Sequence, residues 1–167
     1  KKGNVVEIAR DWKGFGKELN TTEEHVFTEL DGKVIGEHIG AHFYTIGQRK
    51  GLNIGGHVNP LFIIQTNTDT NTVYVGEGDD HNGLCRPGLL IDRADIHWVK
   101  DVDAMEVGES RNYELRIRYR QPLFNAKLTQ LDSGLEIEFD SPKKAVAKGQ
   151  FAAWYDGDVL VGSGVIS

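Results

Sequence analysis

Reactive side-chain types are densest in the stretch Gly36–Gly56, GEHIGAHFYTIGQRKGLNIGG, where glycines are interleaved with His38, His42, Gln48, Arg49 and Lys50. Read as metal chemistry, His38 and His42 stand four apart, with Glu37 and His57 near. That spacing brings two imidazoles together only on a helix, and Gly40 between them disfavours one. Read as a phosphate loop, the stretch has neither G-x-x-x-x-G-K-[ST] nor G-x-G-x-x-G between a strand and a helix. The single thiol, Cys85, has Arg86 beside it and His81 four before, a setting able to depress a thiol pKa. Its spacing fits no characterised cysteine nucleophile, and a lone cysteine is most often a small buried apolar residue. No serine sits in a G-x-S-x-G elbow. The sequence therefore assigns no catalytic residue and no metal ligand.

Binding chemistry has a clearer candidate in Tyr113–Arg120, YELRIRYR. Period-two alternation predicts a strand with Tyr113, Leu115, Ile117 and Tyr119 on an apolar face and Glu114, Arg116, Arg118 and Arg120 on a polar one. Guanidiniums at spacing two lie about 7 Å apart along a strand and suit a row of phosphates. Lys143, Lys144 and Lys148 extend the patch if the Ser141-Pro142 segment folds toward it. The competing reading pairs the arginines across the sheet with Glu136 and Glu138, and the charge pattern alone leaves the two open.

The elements that must hold these residues read as β throughout. Twenty glycines in 167 residues, against a typical share of about 7%, together with short apolar runs, signal many tight turns. Asp31-Gly32, between Val26–Leu30 and Lys33–Ile35, and Asp156-Gly157, between Phe151–Tyr155 and Asp158–Val161, predict two-residue hairpins. Further strands are predicted at His42–Ile46, Leu61–Gln65, Thr72–Val75, Ile96–Val99 and Leu135–Phe139. The one weak helix signal is Gly16–His25, with a cap at Asn20 or Thr21 ahead of Glu23 and Glu24. The expected fold class is mainly β. Residues 1–25 form an arm or linker, residues 26–90 a small β-rich central domain, and residues 91–167 a closed antiparallel β-barrel.

Composition excludes several classes. A net charge of -6 and a pI near 5.5 argue against a generally basic nucleic-acid binder, leaving a local basic stripe as the remaining route. One cysteine makes no intramolecular disulfide and points to a reducing compartment. No apolar run reaches the length of a membrane span, and the start, Lys1-Lys2-Gly3-Asn4, has no signal-peptide stretch and reads as a domain cut from a longer chain.

The run Gly40–Leu52, followed by Ile54-Gly55-Gly56, Tyr74-Val75-Gly76, His97-Trp98, Arg118-Tyr119-Arg120-Gln121, Phe139-Asp140, Gly149-Gln150 and Gly162–Ile166, resembles the C-terminal half of tRNA-specific 2-thiouridylases, in order, over residues 32–167. The resemblance implies an enzyme that adenylates the wobble uridine of certain tRNAs and delivers sulfur from a cysteine persulfide. The ATP-binding loop, with its ATP and Mg, and both catalytic cysteines would lie upstream of the matching part. Cys85 corresponds to neither. What remains is a tRNA-binding half, inactive alone, of a cytoplasmic enzyme, with tRNA and a persulfide-donor protein as partners and no membrane. The family's tRNA contacts fall on Arg118, Tyr119 and Gln150. Alternation puts Tyr119 on the apolar face, so its contact runs through backbone or needs a bulge. Ala147-Lys148 stands where the family usually has Thr-Pro, which adds a cation and removes proline's rigidity. The YTIGQRKGL segment is expected to pack against the catalytic domain or to shape the tRNA cleft. The alternative function is a protein-interaction barrel without nucleic-acid contact.

Overall fold

The computed structural model describes residues 1–17 and 19–167. The chain divides into two units, Lys1–Glu18 with Glu24–Cys85, and Leu19–Glu23 with Arg86–Ser167.

The first unit is a four-stranded mixed sheet of β1 (Gly3–Glu7), β2 (Lys33–His38), β3 (Leu61–Asn67) and β4 (Thr72–Glu77), in the order β2-β1-β4-β3. Residues 1–25, expected to form an arm, supply this sheet with β1, which runs antiparallel to β2 and parallel to β4. Successive side chains of a strand point to opposite faces. Val5 accordingly packs with Ile63, Val73 and Val75 on one face, while Val6 packs with Phe27, Ile64 and Tyr74 on the other. Both valines are fully buried. A strand covered on both sides reads as a short continuous apolar run, with none of the alternation that marks a half-exposed one.

Three local expectations fail in this unit for identifiable reasons. Asp31-Gly32 forms no hairpin. The Asp31 carboxylate accepts the Thr28 backbone N–H and hydroxyl, each at 2.7 Å, closing Glu29–Asp31 into a single 3-10 turn. Gly32 has φ -147°, not the positive value a tight hairpin needs, and a Cβ there would stand 2.3 Å from the Glu7 carbonyl oxygen. His42–Ile46 is not a strand. It begins in a 3-10 turn, Ala41–Phe43, and Gln48 folds the rest back on itself, its Oε1 accepting from Thr45 N and its Nε2 donating to Lys50 O. Gly47 N and Gln48 O then bond Ile63 of β3, which stitches the loop to the sheet. The weak helix at Gly16–His25 is absent among the described residues, Glu18 lying outside them; the Asn20–Glu23 hydrogen bond makes one turn.

The second unit is the expected closed barrel, β10-β5-β8-β7-β6-β9. Its strands are β5 (Cys85–Trp98), β6 (Ser110–Arg116), β7 (Phe124–Gln130), β8 (Gly134–Lys144), β9 (Phe151–Asp156) and β10 (Val159–Ile166). A two-residue hairpin forms at Asp156-Gly157, but one residue later than expected: Asp156 pairs with Val159, so Gly157 and Asp158 are the central residues and Gly157, at φ +58°, is the one with positive φ. Alternation sends Leu128, Leu135, Ile137 and Trp154 inward, all 0% exposed. The Trp154 indole occupies the centre of this core, edge-on to Trp98 at 5.3 Å. Gly162 opposite it has no room for a side chain, since a Cβ would lie 2.4 Å from the indole. The glycine of the Gly-Ser-Gly run is thus dictated by the tryptophan across the hairpin.

Candidate nucleic-acid interface

The arginine row is not a strand row. β6 ends at Arg116, and Arg118–Gln121 is a tight turn closed by Gln121 N–H on Arg118 O at 3.2 Å, with φ +66° at Arg120. Gln121 also accepts the Ile117 N–H through its Oε1, and Pro122 next in sequence has no N–H to continue a ladder. The turn corrects the expected placement of Tyr119. Rather than joining Leu115 and Ile117 in the core, it is 86% exposed, with the Arg120 guanidinium 5.4 Å from its ring centre. The proposed pairing of the arginines with Glu136 and Glu138 also fails, because β6 lies between β7 and β9 and Glu138 faces Lys127 on β7.

Arg118 and Gln150 do come together. The Arg118 Nη2 donates to Ala145 O at 2.6 Å, anchoring the turn to the loop that follows β8. That loop holds Ala145, Val146 and Ala147 buried and turns at Ala145 (φ +53°) and Gly149 (φ +81°). Gln150 closes it, its Oε1 accepting from Ala147 N–H and its backbone O accepting from Ile166 N–H. Hydrogen bonds made by Gln150 thus hold the Ala147-Lys148-Gly149 turn. Arg118, Tyr119, Arg120 and Lys148 are exposed. Lys143 does not join them. β8 runs unbroken through Ser141-Pro142, and Lys143 pairs with Asp140 at 2.6 Å and lies 4.5 Å over the Phe124 ring.

Other candidates disperse. His38 is buried with Nε2 against Asn71 O and Nδ1 accepting from Gly40 N–H, so it does not converge with His42, whose ring lies on Phe43. His81 is committed to backbone at both ring nitrogens, which leaves it no role toward Cys85. Sequence reasoning missed a different group. Glu7, His57 and Glu77, far apart in sequence, bring their polar atoms within 4.8 Å of one another. His57 Nε2 lies 3.2 Å from Glu7 Oε2, and Glu77 is held by the Asn59 backbone and amide N–H groups.

That arrangement has a pH signature. The hydrogen bond to Glu7, then the carboxylates' charge, holds the His57 imidazolium above the usual histidine range. A base with a raised folded-state pKa contributes stability that is complete below the ordinary value of about 6.5 and is lost as pH rises through the folded value. Glu7→Gln is expected to lower the His57 titration midpoint, read by imidazole NMR, toward the ordinary range. An unmoved midpoint would contradict the ion pair.

Among the described residues, no helix is long and apolar enough to cross a membrane. Residues 13–77 match the model of the tRNA methyl transferase PRC-barrel domain. Residues 90–166 match that of the aminomethyltransferase beta-barrel domain. The chain is 50% identical over 136 residues to the tRNA-specific 2-thiouridylase MnmA of Flavobacterium johnsoniae, covering 81% of this chain and 34% of the relative. The enzyme of that name from Karelsulcia muelleri is 39% identical over 175 residues, covering 100% and 44%, and that from Pseudomonas fluorescens 37% over 161 residues, covering 94% and 42%. The chain thus spans less than half the length of these relatives.

Proposed function

The chain belongs to the tRNA-specific 2-thiouridylase family, of which it carries the central and C-terminal domains, and from this we infer that it is the tRNA-holding half of a cytoplasmic enzyme that makes 2-thiouridine at the wobble position. ATP and Mg would bind, and the sulfur-carrying cysteines act, in parts of the enzyme beyond the matched residues. A persulfide-donor protein would recharge the sulfur. Alone, this chain is expected to hold RNA without modifying it.

The observation that carries the reading is the meeting of two loops at one rim of the barrel. Arg118 and Gln150, separated by 32 positions in sequence, are tied through Ala145–Ala147, with Tyr119 and Arg120 projecting beside them. An arginine fork next to an exposed ring is suited to a phosphate and its base together. Bulk acidity favours the second reading, a protein-interaction barrel. A salt titration of tRNA binding separates them. RNA binding through phosphates weakens steeply with salt, and Arg118→Ala is expected to weaken it further and reduce the slope of log K against log[salt] by about 1. Salt-independent binding, or none, favours the protein-interaction barrel.

A further inference from the structure

We propose that the outer face of β9 and β6, centred on Phe151, Ala153 and Tyr155, is a stacking platform for unpaired nucleotides of the bound RNA. This rests on the RNA-binding reading above and extends it to residues outside the Arg118, Tyr119 and Gln150 set.

The platform follows from the barrel's alternation. On β9, Ala152 and Trp154 point inward at 0% exposure, so Phe151, Ala153 and Tyr155 point outward. Phe151 is 67% exposed. Ala153 separates the two rings with a single methyl, and Phe151 and Tyr155 stand roughly 13 Å apart along the strand. Two outward rings on either side of a small residue give base planes somewhere to lie without specifying which base.

The cations sit on the same face. Arg116 pairs with Ala153 in the β6–β9 ladder, and its guanidinium is 5.8 Å from the Tyr155 ring centre. Arg116 Nε is buried without a hydrogen-bond partner, and its guanidinium lies against the Tyr155 ring. The β6–β9 ladder ends at the Arg116–Ala153 pair, and Arg118 and Phe151 each lie two residues from it, so the phosphate-binding rim follows at the same end of the ladder as the platform. Glu114, opposite Tyr155, is the acid on this face. It favours running the phosphates along the Arg118 end and laying bases toward Tyr155. A duplex keeps its base faces stacked and cannot use such a surface, which selects single-stranded or looped RNA.

The test compares binding of tRNA, of a decauridylate, and of the same strand paired with oligoadenylate, by the wild-type chain and by Phe151→Ala, Phe151→Trp and Arg118→Ala. Circular dichroism checks that each variant is folded. Phe151→Ala is expected to lose about 5- to 150-fold in affinity for tRNA and decauridylate. Its salt slope should be unchanged, because no charge is removed. Phe151→Trp should keep the affinity and show indole quenching on binding the single strand but not the duplex. If Phe151→Ala binds as wild type while Arg118→Ala is weakened, the platform is wrong and the RNA-binding reading stands. If the wild-type chain binds none of the three, both fall.

Discussion

Trp154→Ala is expected to remove most of the barrel's stability. The indole is fully buried at the centre of the barrel core, against Trp98 and beneath Gly162. Truncating a buried tryptophan costs about 3–5 kcal/mol when the site cannot collapse. A closed barrel resists such collapse, because every strand is hydrogen-bonded on both sides. A small domain has only about 5–15 kcal/mol to lose. The cost is moderated by one term. Trp154 Nε1 is buried with no hydrogen-bond partner, a burden of about 1–3 kcal/mol that leaves with the ring. Trp154→Phe, which keeps most of the volume and discards the N–H, should therefore be far milder than Trp154→Ala. Hydrogen exchange of the β6, β9 and β10 amides measures this. With the N–H burden set against the cavity cost, protection in Trp154→Ala should fall by about one to three orders of magnitude, at about 1.4 kcal/mol per order. A loss under tenfold would show that the barrel repacks around the gap.

The second large effect is His81→Leu in the mixed sheet. The His81 ring is buried, with Nε2–H donating to Ile8 O at 3.0 Å and Nδ1 accepting from Gly83 N–H at 3.1 Å. One neutral tautomer satisfies both backbone groups. Leucine satisfies neither, and one buried and one part-buried backbone group left open cost up to roughly 2–6 kcal/mol together. Gly76 lies so close that a Cβ there would be 2.5 Å from the ring, so a bulkier side chain at 81 also meets backbone. The effect depends on pH. Burial, more than any neighbouring charge, pushes the His81 pKa below the usual histidine value. Its contribution is complete above about pH 6.5 and is lost as pH falls through the depressed folded value. Denaturation at pH 7.5 and pH 5 should therefore find the gap between wild type and His81→Leu widest at the higher pH. A gap that widens in acid would contradict a neutral buried imidazole.

The barrel was legible because its strands are half-exposed. YELRI, LEIEF and the Asp156-Gly157 turn each carry the period-two pattern or the turn chemistry that one wet face imposes. The mixed sheet was less legible because β1 and β4 are covered on both faces, and Val5-Val6 is too short a run to declare itself. Asp31-Gly32 misled because a side-chain carboxylate can satisfy Thr28 locally and close a 3-10 turn where the dipeptide suggests a hairpin. At the candidate site, the residue types in RYRQ were visible but their geometry was not. Whether YELRIRYR ends at Arg116 or runs on to Arg120 depends on Gln121 reaching back to Ile117, a contact that leaves no periodic trace. Glu7, His57 and Glu77 had no signal at all, since only the pairing of β1 with β4 and the loop before β3 gathers them.

The parallel pairing of β1 with β4 also sets an order of events on the ribosome. β1 is complete at Glu7, yet Val5, Val6 and Glu7 meet their partners only when Val73–Val75 have been made. At about 5–20 residues per second, that is a wait of roughly 3–13 s. During it, β1 can pair with β2 on one edge while the other stays open. Val5, Val6 and Ile8, all buried in the folded sheet, stay uncovered on that edge in the meantime. The barrel, whose ladders β6–β7, β7–β8 and β9–β10 join strands adjacent in the chain, carries no such delay for those pairs.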